Sequence, residues 1–240
     1  MFSYVNGLFD ALSGFRLIFR SGVKRYLIIP LLINISLFAT AITLLSRQMD
    51  TWMAELLPAW LGFLEWLIWP LFFVTIALAV FYSFTLVANI IAAPFNSLLS
   101  ARIEASLSGQ PPQDMTQARF WKMVMRTVAS EIRKLLYFLK WLIPLAIVTV
   151  IPVVNVIAPF LWFVYAAWSF SLEYTDYPLA NRGRLFDEVR NYNRQQRLRS
   201  LGLGSVVFVM TSIPFVNFFA MPVAVAGATR MVVRTAPPHE

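Results

Sequence analysis

The sequence predicts an all-α integral membrane protein. It should have two long transmembrane helices, two re-entrant helical hairpins that penetrate only half the bilayer, and amphipathic interfacial helices. Three observations carry that expectation. First, hydrophobic residues make up 59% of the 240 residues, charged residues only 13%, and mean hydropathy is +0.66. Soluble domains carry about 25% charged residues, so roughly half the usual charge would have to solubilise far more apolar surface. Second, one turn occurs twice inside apolar sequence. Ile151-Pro152-Val153-Val154-Asn155 recurs as Ile213-Pro214-Phe215-Val216-Asn217, with Pro159 and Pro222 following the two copies. The apolar legs beside each turn are only about 10–15 residues, where a crossing needs roughly 20. Each proline also removes an amide donor and clashes with the preceding turn, so a hairpin that dips in and returns is the economical reading. Third, the basic residues flank the apolar runs, as orientation in a membrane requires.

The whole of 1–240 reads as a single membrane domain. Residues 1–25 form an amphipathic helix, with Phe2, Val5, Phe9, Leu12, Phe15 and Phe19 at helical spacing. Its rings would sit at the acyl boundary and its arginines among headgroups, until Ser21-Gly22 break it. The segment carries Asp10, Arg16, Arg20, Lys24 and Arg25 and lacks a signal-peptide layout, so insertion is expected through the first span. That span is 26–45, uncharged and about 20 residues long. Pro30 lies in its first turns, where a missing amide is tolerated, and Asn34 is its one strongly polar side chain. The segment from Arg47 to Pro58 is slightly acidic. Residues 61–99 are apolar except Glu65 and read as one long transmembrane helix, kinked near Pro94, with Trp60, Trp66 and Trp69 as an aromatic belt.

Ser108 to Pro112 is a loop, and from Thr116 a basic helix with Arg119, Lys122, Arg126, Arg133 and Lys134 approaches the next apolar block at the interface. The first re-entrant hairpin occupies 135–172 and the second 201–229. Between them Glu173 to Ser200, rich in arginine, is a connecting helical segment on the membrane face; residues 235–240 are a frayed tail. The segments 1–25, 100–134, 173–200 and 230–234 are net basic and only 46–60 is net acidic. Placing every basic segment on the cytoplasmic side requires two spans followed by two blocks that each return to their starting side. Gly202, Gly204, Ala226 and Gly227 permit close helix packing and hint at self-association.

Function classes narrow on the same residues. Cysteine is absent and the single histidine, His239, lies beside the C-terminus. That leaves no thiol chemistry, no metal cluster and no Ser/His pair, and no Gly-rich phosphate loop occurs; neither an enzyme nor a cofactor is expected. The net charge of +8 serves orientation, and no nucleic-acid-reading element accompanies it.

The sharpest candidate site is Arg20-Ser21-Gly22-Val23-Lys24-Arg25. A helix start offers free amides and a positive dipole end to anions. Ser21 can cap a helix beginning near Gly22, Gly22 and Val23 bring backbone close, and Lys24 and Arg25 add full charge. Sulfate or phosphate suits such a site. The same residues also fit an ordinary orientation signal that touches headgroups. Arg102 and Glu104, after the long apolar run, are a candidate pathway mouth, or else an interfacial ion pair or separately solvated charges.

Several dispersed stretches resemble the CysZ sulfate transporters of bacterial inner membranes. They are Ser13-Gly14, Arg16-Leu17, Gly22-Val23-Lys24-Arg25, Ile29 to Asn34, Ala93-Pro94-Phe95-Asn96-Ser97-Leu98-Leu99, Glu173 to Pro178, and Ile213-Pro214 to Thr229. The resemblance runs from about Phe2 to Arg230. It implies a multi-pass inner-membrane permease or ion channel importing sulfate for cysteine biosynthesis, with sulfite as a candidate regulator. It also implies contacts with membrane lipids and a homo-oligomer built from dimers. The family's sulfate site falls here on Ser21, Gly22, Val23, Lys24 and Arg25. The family often has two arginines there, and Lys24 keeps the charge while losing the planar fork. The alternative is a membrane interaction protein that regulates or scaffolds another transporter.

Overall fold

The computed structural model describes residues 2–20, 22–56, 66, 70–71, 74–75, 95–109 and 117–236. Among these, all regular structure is helical. The elements are α1 (Phe2–Ile18), α2 (Arg25–Leu56), α3 (residues 95–108), α4 (Gln117–Val150), a 3-10 turn (Val154–Ile157), α5 (Ala158–Asn181), α6 (Phe186–Gln195), α7 (Arg197–Ser212) and α8 (Pro214–Thr235). They divide into two compact units, one from Arg25 to Phe95 and one built from the chain up to Lys24 together with Asn96 onward.

In the unit from Arg25 to Phe95, α2 covers the span expected at 26–45 and then continues through Arg47 to Leu56. A helix ends where its backbone bonding ends, not where hydrophobicity does, so the acidic segment expected as a connection extends the same rod. Ile28, Leu32, Ile35 and Ile42 are exposed along it, as a lipid-facing surface would be. The long helix expected over 61–99 lies outside the described residues except at 66, 70–71, 74–75 and 95–99, all of which are helical.

The other unit is organised around α1. Its Phe2, Phe9, Leu12 and Phe19 are exposed, as an acyl-facing stripe requires, while Gly7, Asp10, Ala11, Gly14, Leu17 and Ile18 are buried. The N-terminal half lies on α7, where a Cβ at Gly7 would run into the Arg199 carbonyl and one at Gly202 into the Tyr4 carbonyl. The C-terminal half lies on α8, where a Cβ at Gly14 would strike the Val223 carbonyl and one at Gly227 would lie 2.7 Å from Ala11 Cα. The small residues from which self-association was expected therefore serve packing inside the chain. They let backbones touch, the use to which membrane helices commonly put them. The tightest approach is between α5 and α7 at Gly204 and Ala167.

The chain turns at both predicted places. Residues 151–157 separate α4 from α5, and Ile213 alone separates α7 from α8. The helices beside the turns differ from expectation. The basic helix and the first hairpin leg are one 34-residue helix, α4, with Pro144 inside it. Similarly, α5 has 24 residues and α8 has 22, rising about 36 and 33 Å at 1.5 Å per residue. Counting apolar residues understated these legs because the helices run on through polar sequence that finds partners. Within α5, Glu173 and Asp176 lie 3.0 and 3.1 Å from the Nζ of Lys134, a buried lysine of α4. Among the described residues, two segments, Val154–Asn181 and Phe215–Thr235, are long and apolar enough to cross a membrane by length and composition. Both lie in the later part of the chain; most of the span expected over 61–99 falls outside the described residues.

Candidate functional site

The predicted anion segment follows α1 as a tight turn. The Arg20 amide donates to the Leu17 carbonyl (3.2 Å) and the Val23 amide to the Arg20 carbonyl (3.1 Å). Gly22 sits at φ +82, in the left-handed region that a Cβ disfavours. Val23 is buried at 2% exposure and pins the turn to the core, while Gly22 and Lys24 are exposed. The helix expected near Gly22 begins instead at Arg25, because the Gly22 turn cannot be its first turn. Ser21, expected to cap it, lies outside the described residues. Arg25 is the first residue of α2; its Nη2 donates to Tyr26 Oη at 2.9 Å and its Cζ lies 4.9 Å from the Tyr26 ring centroid. The first amides of α2, at and after Arg25, are the ones a helix leaves free for an anion. The division between the two units falls between Lys24 and Arg25.

Arg102 and Glu104, paired only by sequence proximity in the reading above, go separate ways. Arg102 is exposed on α3, with its Nη2 3.6 Å from where a Gly22 Cβ would stand. The structure thus brings a candidate pathway arginine to the predicted anion turn. Glu104 instead accepts from Arg182 Nε at 2.8 Å, and the Arg182 Nη1 donates to the Ala236 carbonyl. The Arg182 Nη2 is buried without a partner among the described residues. The ion pair considered between Arg102 and Glu104 is therefore absent, and Glu104 ties α3 to the end of α5.

Because the space beside Gly22 is open to 3.6 Å, substitution there tests conformation rather than crowding. Gly22→Ala should cost about 1–2 kcal/mol, the penalty of left-handed backbone for a residue with a Cβ. Thermal unfolding in detergent would read this as a fall of a few degrees.

Sequence reading missed the role of Asp10. It is 1% exposed and holds Arg199 through Nε at 2.7 Å, with Arg230 Nε at 3.7 Å and Arg234 Nη1 at 3.8 Å from its other oxygen. An acidic residue within an otherwise apolar and basic N-terminal helix was the available signal. Its partners lie some 190–220 residues away, and spacing along the chain does not disclose them.

Comparison with known proteins follows the same lines. Residues 10–222 match the family described as sulfate transporter CysZ/etoposide-induced protein 2.4. A Pseudomonas fluorescens protein named sulfate transporter CysZ is 41% identical over 229 residues, covering 92% of this chain and 90% of its own length. A protein of the same name from Pseudomonas syringae pv. tomato is 41% identical over 226 residues, covering 92% and 89%. One from Pectobacterium atrosepticum is 38% identical over 230 residues, covering 94% and 84%.

Proposed function

The chain belongs to the sulfate transporter CysZ/etoposide-induced protein 2.4 family, and from that premise we propose that it is a sulfate transporter of the bacterial inner membrane whose flux supplies cysteine synthesis. The observation that carries the site is the Gly22 turn at φ +82 with the Arg102 guanidinium beside it. Lys24 and Arg25 follow at once in the sequence. Sulfate engages Ser21, Gly22, Val23, Lys24 and Arg25: the turn admits it closely and the cations attract it. Arg102, beside the turn, stands at the mouth of the route, while Glu104 is engaged by Arg182. Movement is passive or ion-coupled, and sulfite, as a related oxyanion, competes or regulates. The working unit is a homo-oligomer of dimers embedded in lipid.

The hairpins enter the bilayer from one face without forming water-exposed loops. Their tips are apolar and open: Val150, Val153, Val156, Phe215 and Phe218 are each at least 70% exposed. Arg182, Arg199, Arg230 and Arg234 cluster at the opposite ends of α5, α7 and α8. Tips of this composition favour hydrocarbon, and heads of this charge favour the interface. The uncharged part of α7, residues 200–212, rises only about 20 Å at 1.5 Å per residue, short of the ~30 Å core. This supports partial penetration of the second hairpin.

Proteoliposomes carrying the protein should take up labelled sulfate, and Arg25→Ala should lower the initial rate about tenfold or more, the effect of losing one charge-assisted contact. Uptake no higher than in empty liposomes would reject the transport reading. If a stoichiometric unrelated protein then co-purified, the regulatory role would replace it.

A further inference from the structure

A cleft of about 280 Å³ is lined by four arginines from two parts of the fold: Arg16 and Arg20 at the end of α1, and Arg230 and Arg234 on α8. Leu17 and Leu107 are among its apolar walls. Arg230 and Arg234 are four residues apart on one helix, so both project from one face. The carboxylate beside them is that of Asp10, whose Oδ2 is already engaged by Arg199 at 2.7 Å. Its Oδ1 stands 3.7 and 3.8 Å from Arg230 and Arg234. One negative charge therefore faces three guanidinium groups before Arg16 and Arg20 are counted. No carboxylate among the described residues pairs with either of those two; Arg20 Nη1 donates only to the Ser106 hydroxyl at 3.2 Å.

Like charges converge on a cleft at an electrostatic cost that a bound anion offsets. Guanidinium forks suit an oxyanion with several acceptor oxygens better than a spherical ion. We propose that this cleft is a second binding site for a tetrahedral oxyanion, separate from the Gly22–Arg25 segment. Its occupant is a sulfate ion waiting beside the turn or the phosphate of an anionic lipid headgroup. The sulfate alternative rests on the transport reading above; the lipid alternative does not. Arg20 links the two places, since its side chain lines the cleft while its carbonyl accepts from Val23 and holds the turn.

The full chain in nanodiscs of zwitterionic lipid is titrated with labelled sulfate, and in parallel its retention of phosphatidylglycerol is read by native mass spectrometry. With sulfate as occupant, wild type binds two ions per protomer, Arg16→Gln/Arg230→Gln binds one, and Lys24→Gln/Arg25→Gln also binds one. With a headgroup as occupant, sulfate binding stays at one in wild type and in Arg16→Gln/Arg230→Gln, while the latter loses the retained phosphatidylglycerol. Arg234→Gln keeps the result interpretable if the double variant folds poorly. That side chain is 57% exposed, and its loss should weaken whichever ligand binds about tenfold without lowering the melting temperature. Unchanged sulfate stoichiometry together with unchanged lipid retention in folded Arg16→Gln/Arg230→Gln, or unchanged affinity for both sulfate and phosphatidylglycerol in Arg234→Gln, would overturn the proposal. A failure of the transport reading is separately visible, as absent sulfate uptake by wild-type proteoliposomes.

Discussion

Replacing Asp10 with alanine should destabilise the protein by about 3–5 kcal/mol, the cost of removing one partner from a buried ion pair and stranding the other. Asp10 is 1% exposed and the Arg199 side chain 13%, so solvent can rescue the orphaned guanidinium only in part. The loss is compounded because Arg230 and Arg234 also face Asp10, and without the carboxylate three cations repel one another. For a chain of this size the effect corresponds to a fall of roughly 10 °C in melting temperature, followed by tryptophan fluorescence in detergent. The signature of an ion-pair mechanism lies in the second variant. Asp10→Ala/Arg199→Leu removes both charges and keeps apolar volume, and should recover most of the lost stability, since an apolar pair of similar size often matches a buried salt bridge. If the double variant is as unstable as Asp10→Ala, the carboxylate acts through some other contact.

That pairing marks the boundary of what the sequence disclosed. The turns at 151–157 and 213 were readable because each proline removes an amide donor and clashes with the preceding turn. A proline at mid-run beside short apolar legs is a local signal, even though Pro144, Pro178 and Pro222 are accommodated inside helices. The exposed stripe of α1 was readable because period and hydrophobicity are also local. The glycines were visible as residues that allow close helix packing, with a hint of self-association, but the sequence did not name their partners. Whether Gly202 meets Tyr4 of the same chain or a neighbour's surface is a long-range fact. Helix ends failed for a related reason. Polarity at Glu173 and Asp176 suggested an end to the apolar leg, but Lys134 brings them a compensating charge from α4, and the helix continues to Asn181. In the candidate site, the break expected at Ser21-Gly22 was a local signal, and Gly22 there adopts φ +82. The approach of Arg102 to it, some 80 residues later, and the pairing of Glu104 with Arg182 depended on how α3 docks.

The strongest single test of the packing is at Gly204. A Cβ there would fall on the Ala167 carbonyl, with the Ala167 Cα at 3.0 Å. The obstacle is the backbone of α5, which cannot rotate aside as a flexible side chain could. Two effects oppose each other in Gly204→Ala. Helix propensity favours alanine over glycine by about 1 kcal/mol, while forced repacking of a dense interior costs typically 1–3 kcal/mol. A rigid neighbour places the steric cost at the upper end, so a net loss near 2 kcal/mol is expected. Gly204→Leu, which must separate α5 from α7 by more than a methyl group, should exceed what the fold tolerates and yield aggregated protein. The same pair of variants decides where the contact lies. A contact inside the chain lowers the melting temperature of Gly204→Ala while leaving its oligomer size unchanged in light scattering. A contact between copies would instead change the oligomer size and spare the protomer, and that outcome would return these glycines to the self-association role first expected of them.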